Sequence, residues 1–240
     1  MKCERPADRV SIMRQSEGFL LTSANDHDLP KQYRCRELLS TPQAMQRMSL
    51  PSVSCGFLST GKSIVLVGLM GAGKTCIGRR LARRLQMSFV DADEEIVKAA
   101  GATVVEIFRR FGESAFREGE RQVIARLLDA EPLVLATGGG AFIDVTTRQL
   151  IKDRGISVWL RADLDVLERR TRGREGRPLL QTDDPRATLA ALMASRYPIY
   201  ALADIVVDSR DVMPEKNTDH VLEAIHVYCT RAGSSMEAGA

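Results

Sequence analysis

The sequence predicts an α/β fold, in the form of a three-layer, doubly wound domain with a five-stranded parallel sheet. From Ser63 onward, short apolar runs rich in Val, Ile and Leu alternate with stretches of helical periodicity. This alternation is typical of βαβ units around a buried parallel sheet. The proportions of hydrophobic and charged residues, 44% and 27%, are those of an ordinary globular protein.

Five runs are predicted as strands because each is short, apolar and bounded by turn-forming or polar residues. The first, Ser63–Val67, directly precedes a glycine-rich turn, which favours a central strand that ends at a ligand-binding crevice. The predicted strands are Ser63–Val67, Ser88–Val90, Leu133–Ala136, Ser157–Leu160 and Ile205–Val207. The predicted helices, each an amphipathic stretch, are Lys74–Leu85, Asp93–Ala100, Val104–Phe111, Ser114–Asp129, Thr146–Asp153, Asp163–Arg170, Pro185–Tyr200 and His220–Cys229.

The regular pattern defines one domain, which we place at residues 61–229. Residues 1–60 show no sustained period of 2 or 3.6, so they offer no repeating apolar face, and we expect a disordered N-terminal extension. A targeting or regulatory arm is the alternative for this segment. Residues 230–240 are expected to form a disordered tail. The polar, arginine-rich stretch 171–184 lies between two predicted helices and is expected to be a mobile lid.

Composition and charge argue against several classes of partner. The chain has 34 Lys and Arg against 31 Asp and Glu, a net charge of +3, which is too mild to predict nucleic acid as the main partner. No apolar run is long enough to span a membrane. Five cysteines without a C-x-x-C pair suit a reducing compartment. We therefore expect a cytoplasmic protein without a membrane partner. A monomer is expected as well.

The strongest local motif is GLMGAGKT, Gly68–Thr75, between the first predicted strand and helix. It matches the P-loop pattern G-x-x-x-x-G-K-[ST] in the required context, which disfavours a chance glycine-rich turn. Backbone N–H groups of such a loop converge on phosphate oxygens at a helix N-terminus. Lys74 can reach the β- and γ-phosphates, and the Thr75 hydroxyl can ligate Mg²⁺. The nucleotide-binding residues expected here are Gly71, Ala72, Gly73, Lys74, Thr75 and Cys76.

Two carboxylates follow the second predicted strand, in the segment Phe89–Asp93. The carboxyl ends of parallel strands form the crevice where such sheets bind ligands, and strand alternation points Asp91 and Asp93 to the same side. One carboxylate can hold a metal-bound water while the other receives the proton of a substrate hydroxyl. The alternative is that Asp93 only caps the following helix.

Three further segments carry candidate site residues. Arg117 and Glu120 lie three residues apart on one predicted helical face, although an ordinary surface ion pair would look the same and is favoured on spacing alone. Gly138, Gly139 and Gly140 follow the third strand, where glycine suggests unusual backbone angles or close approach to a ligand, with a flexible turn as the alternative. Arg177 lies in the expected lid, whose arginines can also be read as solvated surface charge.

Together these motifs resemble the shikimate kinase family. The motifs are GLMGAGKT, D-x-D after the second strand, F-R-x-x-E, G-G-G after the third strand, R-P-L-L in the lid and R-x-P-x-Y near the end, in that order. The likeness covers roughly Lys62 to Val227. It implies a nucleoside monophosphate kinase-like P-loop fold and an enzyme that uses ATP and Mg²⁺ to phosphorylate the 3-hydroxyl of shikimate, in chorismate and aromatic amino acid biosynthesis.

The resemblance also implies roles for the substrate-binding residues. The position of Asp93 binds the reacting hydroxyls and is the candidate base, whereas that of Asp91 supports Mg²⁺ through water. The positions of Arg117 and Arg196 hold the substrate carboxylate, for which planar guanidinium groups are suited. Glu120 would then orient Arg117.

The remaining implied roles concern the glycines, the lid and the adenine. The segment 138–140 would lie against the substrate, where a Cβ would collide. Arg177 would stabilise charge on the phosphates and Arg170 would stack on adenine, although Arg169 and Arg172 are close enough to leave that assignment open. The P-loop hydroxyl is Thr75, where many family members have Ser, and either can ligate Mg²⁺.

Two other functions are considered. Another small-molecule P-loop kinase, such as a gluconate kinase, would share Gly68–Thr75 but would not need two arginines directed at a carboxylate. A non-catalytic, shikimate-kinase-like sensing domain would require a DNA-binding arm, and residues 1–60 show no pair of amphipathic helices for a helix-turn-helix. It would also tolerate loss of Lys74, Asp93 or Arg177, all of which are present.

Overall fold

A computed structural model describes residues 61–173, 178–180 and 182–237. It contains a five-stranded sheet in the order β2-β3-β1-β4-β5, and every neighbouring pair of strands is parallel. The strands are β1 (Ser63–Val67), β2 (Ser88–Asp91), β3 (Leu133–Ala136), β4 (Gly155–Arg161) and β5 (Ile205–Asp208). The predicted doubly wound α/β class is confirmed.

Helices cover both faces of this sheet. They are α1 (Lys74–Leu85), α2 (Ala92–Ala100), α3 (Val104–Asp129), α4 (Val145–Arg154), α5 (Leu164–Thr171), α6 (Pro185–Tyr200) and α7 (Pro214–Glu237). The step from β1 to β2 runs opposite to the later steps along the sheet, and right-handed crossovers therefore place α1 on one face and the helices of the later crossovers on the other. Helix α7 packs beside α1, α3 beside α4, and α5 beside α6.

The main core lies around β1, the central strand, whose five residues are all buried. A strand buried on both faces must be apolar throughout, which is why Ile64–Val67 reads as a continuous run rather than an alternating one. A second, smaller apolar cluster joins α2 to α3 through Ile96, Ile107, Phe116 and Val123. This cluster attaches α2 and the first turns of α3 to the domain, beside the carboxyl ends of the strands.

Helix boundaries differ from the expected ones by more than one residue in two places. The predicted separation of Val104–Phe111 from Ser114–Asp129 corresponds to a break inside α3 at Gly112, whose φ is 81° and ψ 174°, so the backbone leaves the helical region there. The last helix begins at Pro214 and continues to Glu237. Residues 230–237 therefore extend a helix where we expected a disordered tail. The apolar period ends near Cys229, but backbone helical bonding does not require an apolar face.

Some expectations fall on residues outside the described part of the chain. The proposed N-terminal extension, residues 1–60, is one, and the lid arginine Arg177 is another. Within the described residues, none of the helices is both long and apolar enough to cross a lipid bilayer. A 3₁₀ turn at Ala141–Ile143, directly after the triple-glycine segment, was not predicted.

Candidate active site

A large cavity of about 1450 Å³ opens at the carboxyl ends of β1, β2 and β3. Because parallel strands all end at the same edge, residues that follow different strands meet there. Nearly all the predicted site residues within the described part of the chain line this cavity. These are Gly71, Gly73, Lys74, Thr75, Cys76, Asp91, Asp93, Arg117, Gly138, Gly139, Gly140, Arg170 and Arg196. Ala72, also expected at the nucleotide, is a buried residue of the P-loop.

The P-loop backbone adopts φ values that are open mainly to glycine. Gly68, Gly71 and Gly73 have φ values of 135°, 84° and 99°, a region that residues with a Cβ rarely adopt. Helix α1 begins directly after Gly73, so its unpaired N–H groups face the cavity and favour an anion there. The Lys74 amine donates to the carbonyls of Gly68 and Leu69, at 2.8 and 3.0 Å. The loop therefore presents a positive concavity suited to phosphate.

A hydroxyl and a carboxylate meet beside the P-loop. Thr75 Oγ1 donates to Asp91 Oδ2 at 2.7 Å. Asp91 is also the N-cap of α2, because its Oδ1 accepts the N–H of Asp93 at 3.1 Å. The alternative that Asp93 caps this helix is therefore wrong, since Asp93 lies one residue inside it. Hydroxyl and carboxylate oxygens are ligands that suit Mg²⁺, which keeps most of its shell for waters and phosphates. The pair fits such an ion.

Glu120 is buried and Arg117 partly buried in their ion pair, rather than both lying on the surface as the spacing favoured. Arg117 Nη1 donates to Glu120 Oε2 at 2.6 Å, and the Glu120 side chain is 2% exposed. Burial raises the pKa of the Glu120 carboxyl, although the Arg117 guanidinium acts in the opposite direction. Glu120 Oε1 is buried and has no hydrogen-bond partner within the described chain. Glu120 therefore fixes Arg117 from inside the domain.

The triple-glycine segment is close to these same side chains. A Cβ added to Gly138 would lie 2.6 Å from Glu120 Oε1 and 2.8 Å from Asp93 Oδ1. A Cβ on Gly140 would collide with the Arg117 guanidinium. A side chain at either position would thus displace the ends of the protein's own site residues. A Cβ on Gly139 would make only ordinary contacts, the nearest at 3.6 Å.

The carbonyl of Gly139 connects this segment to α6. Arg196 Nη1 donates to Gly139 O at 3.0 Å, and the Tyr200 hydroxyl donates to the same oxygen. Burial raises the pKa of Tyr200 to about 12, so this hydroxyl stays protonated and remains a donor at neutral pH. Arg196 and Arg117 therefore flank the glycine segment, with the Asp93 carboxylate beside it.

On the other side of the P-loop, Arg170 contacts a segment that the sequence did not identify. Its guanidinium donates to the carbonyl of Gly71 at 3.3 Å, to Ser209 Oγ at 3.0 Å and to the carbonyl of Arg210 at 2.6 Å. The connection between β5 and α7 thus forms part of the cavity wall. This connection follows the carboxyl end of a strand, a position that could have predicted a place at the site. Its residue types, however, match no motif.

The segment 171–184, expected to be a lid, is described only at its ends and over a short 3₁₀ turn, Pro178–Leu180. The two flanking helices are joined by Glu168 of α5. Its carboxylate accepts from Arg172, at the start of the segment, at 2.7 Å and from Arg186, in α6 just after it, at 2.5 Å. The segment therefore starts and ends at nearby points on the rim of the domain, which is the geometry that a lid requires.

Comparison with known sequences identifies one family. The family model described as "Shikimate kinase" matches residues 70–226. The chain is 61% identical to the shikimate kinase of Paramagnetospirillum magneticum over 168 residues, which cover 70% of this chain and 86% of that protein. It is 54% identical to the shikimate kinase of Bradyrhizobium diazoefficiens over 167 residues, which cover 70% of this chain and 81% of that protein.

Solved structures give the same result. The shikimate kinase of Acinetobacter baumannii in complex with shikimate superposes with a TM-score of 0.68 and 38% identity, covering 70% of this chain and 95% of that one. The shikimate kinase of Bacteroides thetaiotaomicron superposes with a TM-score of 0.64 and 31% identity, covering 68% and 98% of the two chains. The similar proteins thus match along most of their own length.

Proposed function

This chain belongs to the shikimate kinase family, and from that premise we propose how its residues divide the work of the reaction. The enzyme transfers a phosphoryl group from ATP to the 3-hydroxyl of shikimate, giving shikimate 3-phosphate and ADP, with Mg²⁺ as cofactor. The observation that carries the assignment of the substrate site is the pair of arginines, Arg117 and Arg196, on either side of Gly138–Gly140 with Asp93 adjacent.

Arg117 and Arg196 bind the substrate carboxylate in this proposal. A guanidinium can donate two parallel hydrogen bonds to a carboxylate, which fixes both position and orientation. Both residues line the cavity. Glu120 holds Arg117 at 2.6 Å and so fixes its orientation before the substrate arrives. Binding at two points places the ring hydroxyls in a defined position, which is the main requirement of phosphoryl transfer.

Asp93 receives the proton of the reacting hydroxyl. It lies in the first turn of α2 at the cavity wall, and its Oδ1 is close to the glycine segment, as the 2.8 Å approach to a Cβ on Gly138 indicates. The described site offers positioning and charge rather than a nucleophile activated by a base. We therefore infer direct, in-line transfer from ATP to shikimate without a phosphoenzyme.

The phosphates of ATP occupy the P-loop side. Backbone N–H groups at Gly71–Gly73 and the Lys74 amine compensate their charge, and Arg177 of the lid adds a second cation. Thr75 and Asp91 would hold the Mg²⁺, Asp91 through water. When bound, Mg²⁺ neutralises charge on the phosphate oxygens. Arg170 lies on the adenine side and stacks on the base.

Beyond the active site, we propose that residues 61–229 suffice for catalysis and that the enzyme is a cytoplasmic monomer. All the assigned site residues lie within this range. A chain starting at Ser59 should then melt within a few degrees of the full chain and retain its activity. A larger fall in the melting midpoint, or loss of activity, would make the preceding residues part of the domain.

The direct test is ADP release, measured by a coupled assay with shikimate, quinate and gluconate in turn. Turnover with shikimate and Mg²⁺, and little with the other two, is expected. Preference for gluconate would favour a different small-molecule kinase. Binding of shikimate without turnover would favour a sensing domain. Direct transfer is tested by searching for labelled protein after incubation with γ-³²P-ATP alone, and none is expected.

A further inference from the structure

Ser209, the residue after β5, connects the P-loop to Arg170. Its side chain is 2% exposed. The hydroxyl donates to the carbonyl of Ala72 in the P-loop at 2.7 Å and accepts from Arg170 Nη1 at 3.0 Å. A hydroxyl has one donor and two acceptor positions, so a single oxygen can make both bonds. The backbone N–H of Ser209 donates to the carbonyl of Arg161 at 2.6 Å, which fixes the residue at the end of the sheet.

The bond from Ser209 to Ala72 sets the direction of one P-loop peptide. In a trans peptide the C=O and the following N–H point in opposite directions, and the described chain has no cis peptide. With the Ala72 carbonyl directed at Ser209, the N–H of Gly73 points the other way. Gly73 lines the cavity and immediately precedes α1. Its N–H is therefore oriented as a donor for phosphate.

The bond between Ser209 and Arg170 restricts the guanidinium in the same way. Arg170 donates to three acceptors on two chain segments, namely Gly71 O, Ser209 Oγ and Arg210 O. Three acceptors fix the plane of a guanidinium as well as its position. Two of these acceptors connect Arg170 to the P-loop: the Gly71 carbonyl belongs to the loop, and the Ser209 hydroxyl contacts Ala72 within it.

Asn217 of α7 holds the adjoining loop. Its side chain is 2% exposed. The amide Nδ2 donates to the carbonyl of Arg210 at 2.9 Å, and Oδ1 accepts the N–H of Arg210 at 3.1 Å. Asn217 thus fixes the residue whose carbonyl receives Arg170 Nη2. A buried side chain that satisfies both backbone groups of one loop residue leaves that residue little freedom to move.

We propose that Ser209 is a positioning residue for the nucleotide, acting through Ala72 and Arg170, and that Asn217 supports it by holding Arg210. This inference rests on the proposed function only in that ATP and ADP occupy the P-loop cavity. Neither side chain is assigned a contact with a reacting atom, so the effect is on nucleotide affinity rather than on the chemical step. The shikimate side of the site is not involved.

The test is Ser209→Ala in the full chain, with the dissociation constant of ADP measured by calorimetry and the KM values of ATP and shikimate measured kinetically. Loss of the hydroxyl leaves the Ala72 carbonyl buried without this partner and removes an acceptor from Arg170. A rise of roughly 10-fold in the ADP dissociation constant and in KM for ATP is expected, as for loss of a hydrogen bond to a charged group. The KM for shikimate and kcat should stay within about 2-fold.

The matched control is Ser157→Ala. Ser157 is also a buried serine, 3% exposed, and its hydroxyl accepts the N–H of Asp204 at 2.9 Å and donates to the Asp204 carboxylate. Its removal should lower the melting temperature as much as Ser209→Ala does, without changing ADP affinity. Ser209→Thr, which keeps the hydroxyl, should recover most of the affinity.

Equal ADP affinity in Ser209→Ala and Ser157→Ala would overturn the inference, as would equal rises in the KM of both substrates. Should Ser209→Ala fail to fold, Asn217→Ala is measured in the same way, with a rise of about 3-fold expected for ADP and an unchanged value overturning the proposal. Failure of the proposed function is distinguishable, because it would appear as absent shikimate-dependent turnover in the parent enzyme, whereas ADP affinity can be compared regardless.

Discussion

The Glu120 carboxylate accepts a hydrogen bond from Arg117 at 2.6 Å with one oxygen, while its other oxygen is buried beside Gly138 without a hydrogen-bond partner in the described structure. The pair is therefore asymmetric. One oxygen holds the arginine that we assign to the substrate carboxylate, and the other faces the glycine segment near Asp93. A buried carboxylate with only part of its bonding satisfied costs stability when it is charged. The same buried carboxylate holds Arg117 in a fixed position at the substrate site.

The first prediction concerns the pH dependence of stability. Burial raises the pKa of Glu120 above its ordinary value of 4.5, so the folded state binds more protons than the unfolded state between 4.5 and the raised pKa. The contribution of Glu120 to the free energy of unfolding should therefore fall as the pH rises through this window. The glutamine of Glu120→Gln does not titrate. The free energy of unfolding of the parent should therefore fall relative to that of the variant as the pH rises.

Denaturant unfolding at several pH values between 4 and 8 measures this difference. Glu118→Gln on the same helix is the control, because Arg121 lowers the pKa of Glu118 and any slope should have the opposite sign. Glu118 is exposed, so its effect should be small. A pH-independent difference for Glu120→Gln would mean that folding leaves the pKa of this carboxyl unchanged.

The second prediction concerns the proton acceptor. Asp93→Asn should fold and bind ADP normally but lose about 10²–10⁴-fold in kcat, because an amide does not accept the hydroxyl proton. The control is Glu95→Gln in the same first turn of α2, whose carboxylate pairs with Lys98 and Arg126, and it should keep nearly full activity. Turnover of Asp93→Asn within a few-fold of the parent would remove Asp93 from the chemical step.

The third prediction concerns binding of the substrate carboxylate. Arg117→Lys and Arg196→Lys keep the charge but lose the two-pronged donor geometry, so each should raise KM for shikimate about 10-fold or more while changing KM for ATP little. Arg121→Lys is the control, since Arg121 lies one turn further along α3 and pairs with Glu118 and Asp144. Equal changes in both KM values would show that Arg117 and Arg196 serve the fold instead.

The fourth prediction separates the three glycines. Gly138→Ala and Gly140→Ala should raise KM for shikimate strongly, because the new methyl group displaces Glu120, Asp93 or Arg117. Gly139→Ala should fold well, since its Cβ meets nothing closer than 3.6 Å, so any rise in its KM would report contact with the substrate itself. Gly119→Ala on α3 meets open space and should stabilise the protein by up to about 1 kcal/mol. Normal kinetics for Gly138→Ala and Gly140→Ala would contradict the proposed geometry.

The fifth prediction concerns the lid arginine. Arg177→Ala should lower kcat by about 10²–10³-fold, as expected when a preorganised cation at the transferring phosphoryl group is lost. Arg172→Ala, at the start of the same segment and paired with Glu168, should have little effect on kcat. Hydrogen exchange of 171–184 should slow when ADP and shikimate are both bound. Equal kcat values for the two variants, or unchanged exchange, would remove the lid from the mechanism.

The sequence alone determined the fold class and most of the element boundaries. Strands such as Ser63–Val67 lie at the centre of the sheet, where burial on both faces requires an uninterrupted apolar run. The P-loop could also be predicted from the sequence, because its strand, its glycines and its helix are consecutive. The positive φ values of Gly68, Gly71 and Gly73 favour glycine at these positions. Local steric rules acting over a few residues are enough in both cases.

The tertiary structure decided everything that depends on distant segments coming together. Spacing in the sequence favoured a surface pair for Arg117 and Glu120, whereas in the fold Glu120 is 2% exposed and its carboxylate lies beside Gly138. Likewise, Asp91 rather than Asp93 caps α2, because the helix begins at Ala92, two residues earlier than a cap at Asp93 would require. The contact between Ser209 and Ala72 joins residues 137 apart in the chain. No local pattern encodes such a contact, since chain folding, rather than spacing in the sequence, sets the distance between these side chains.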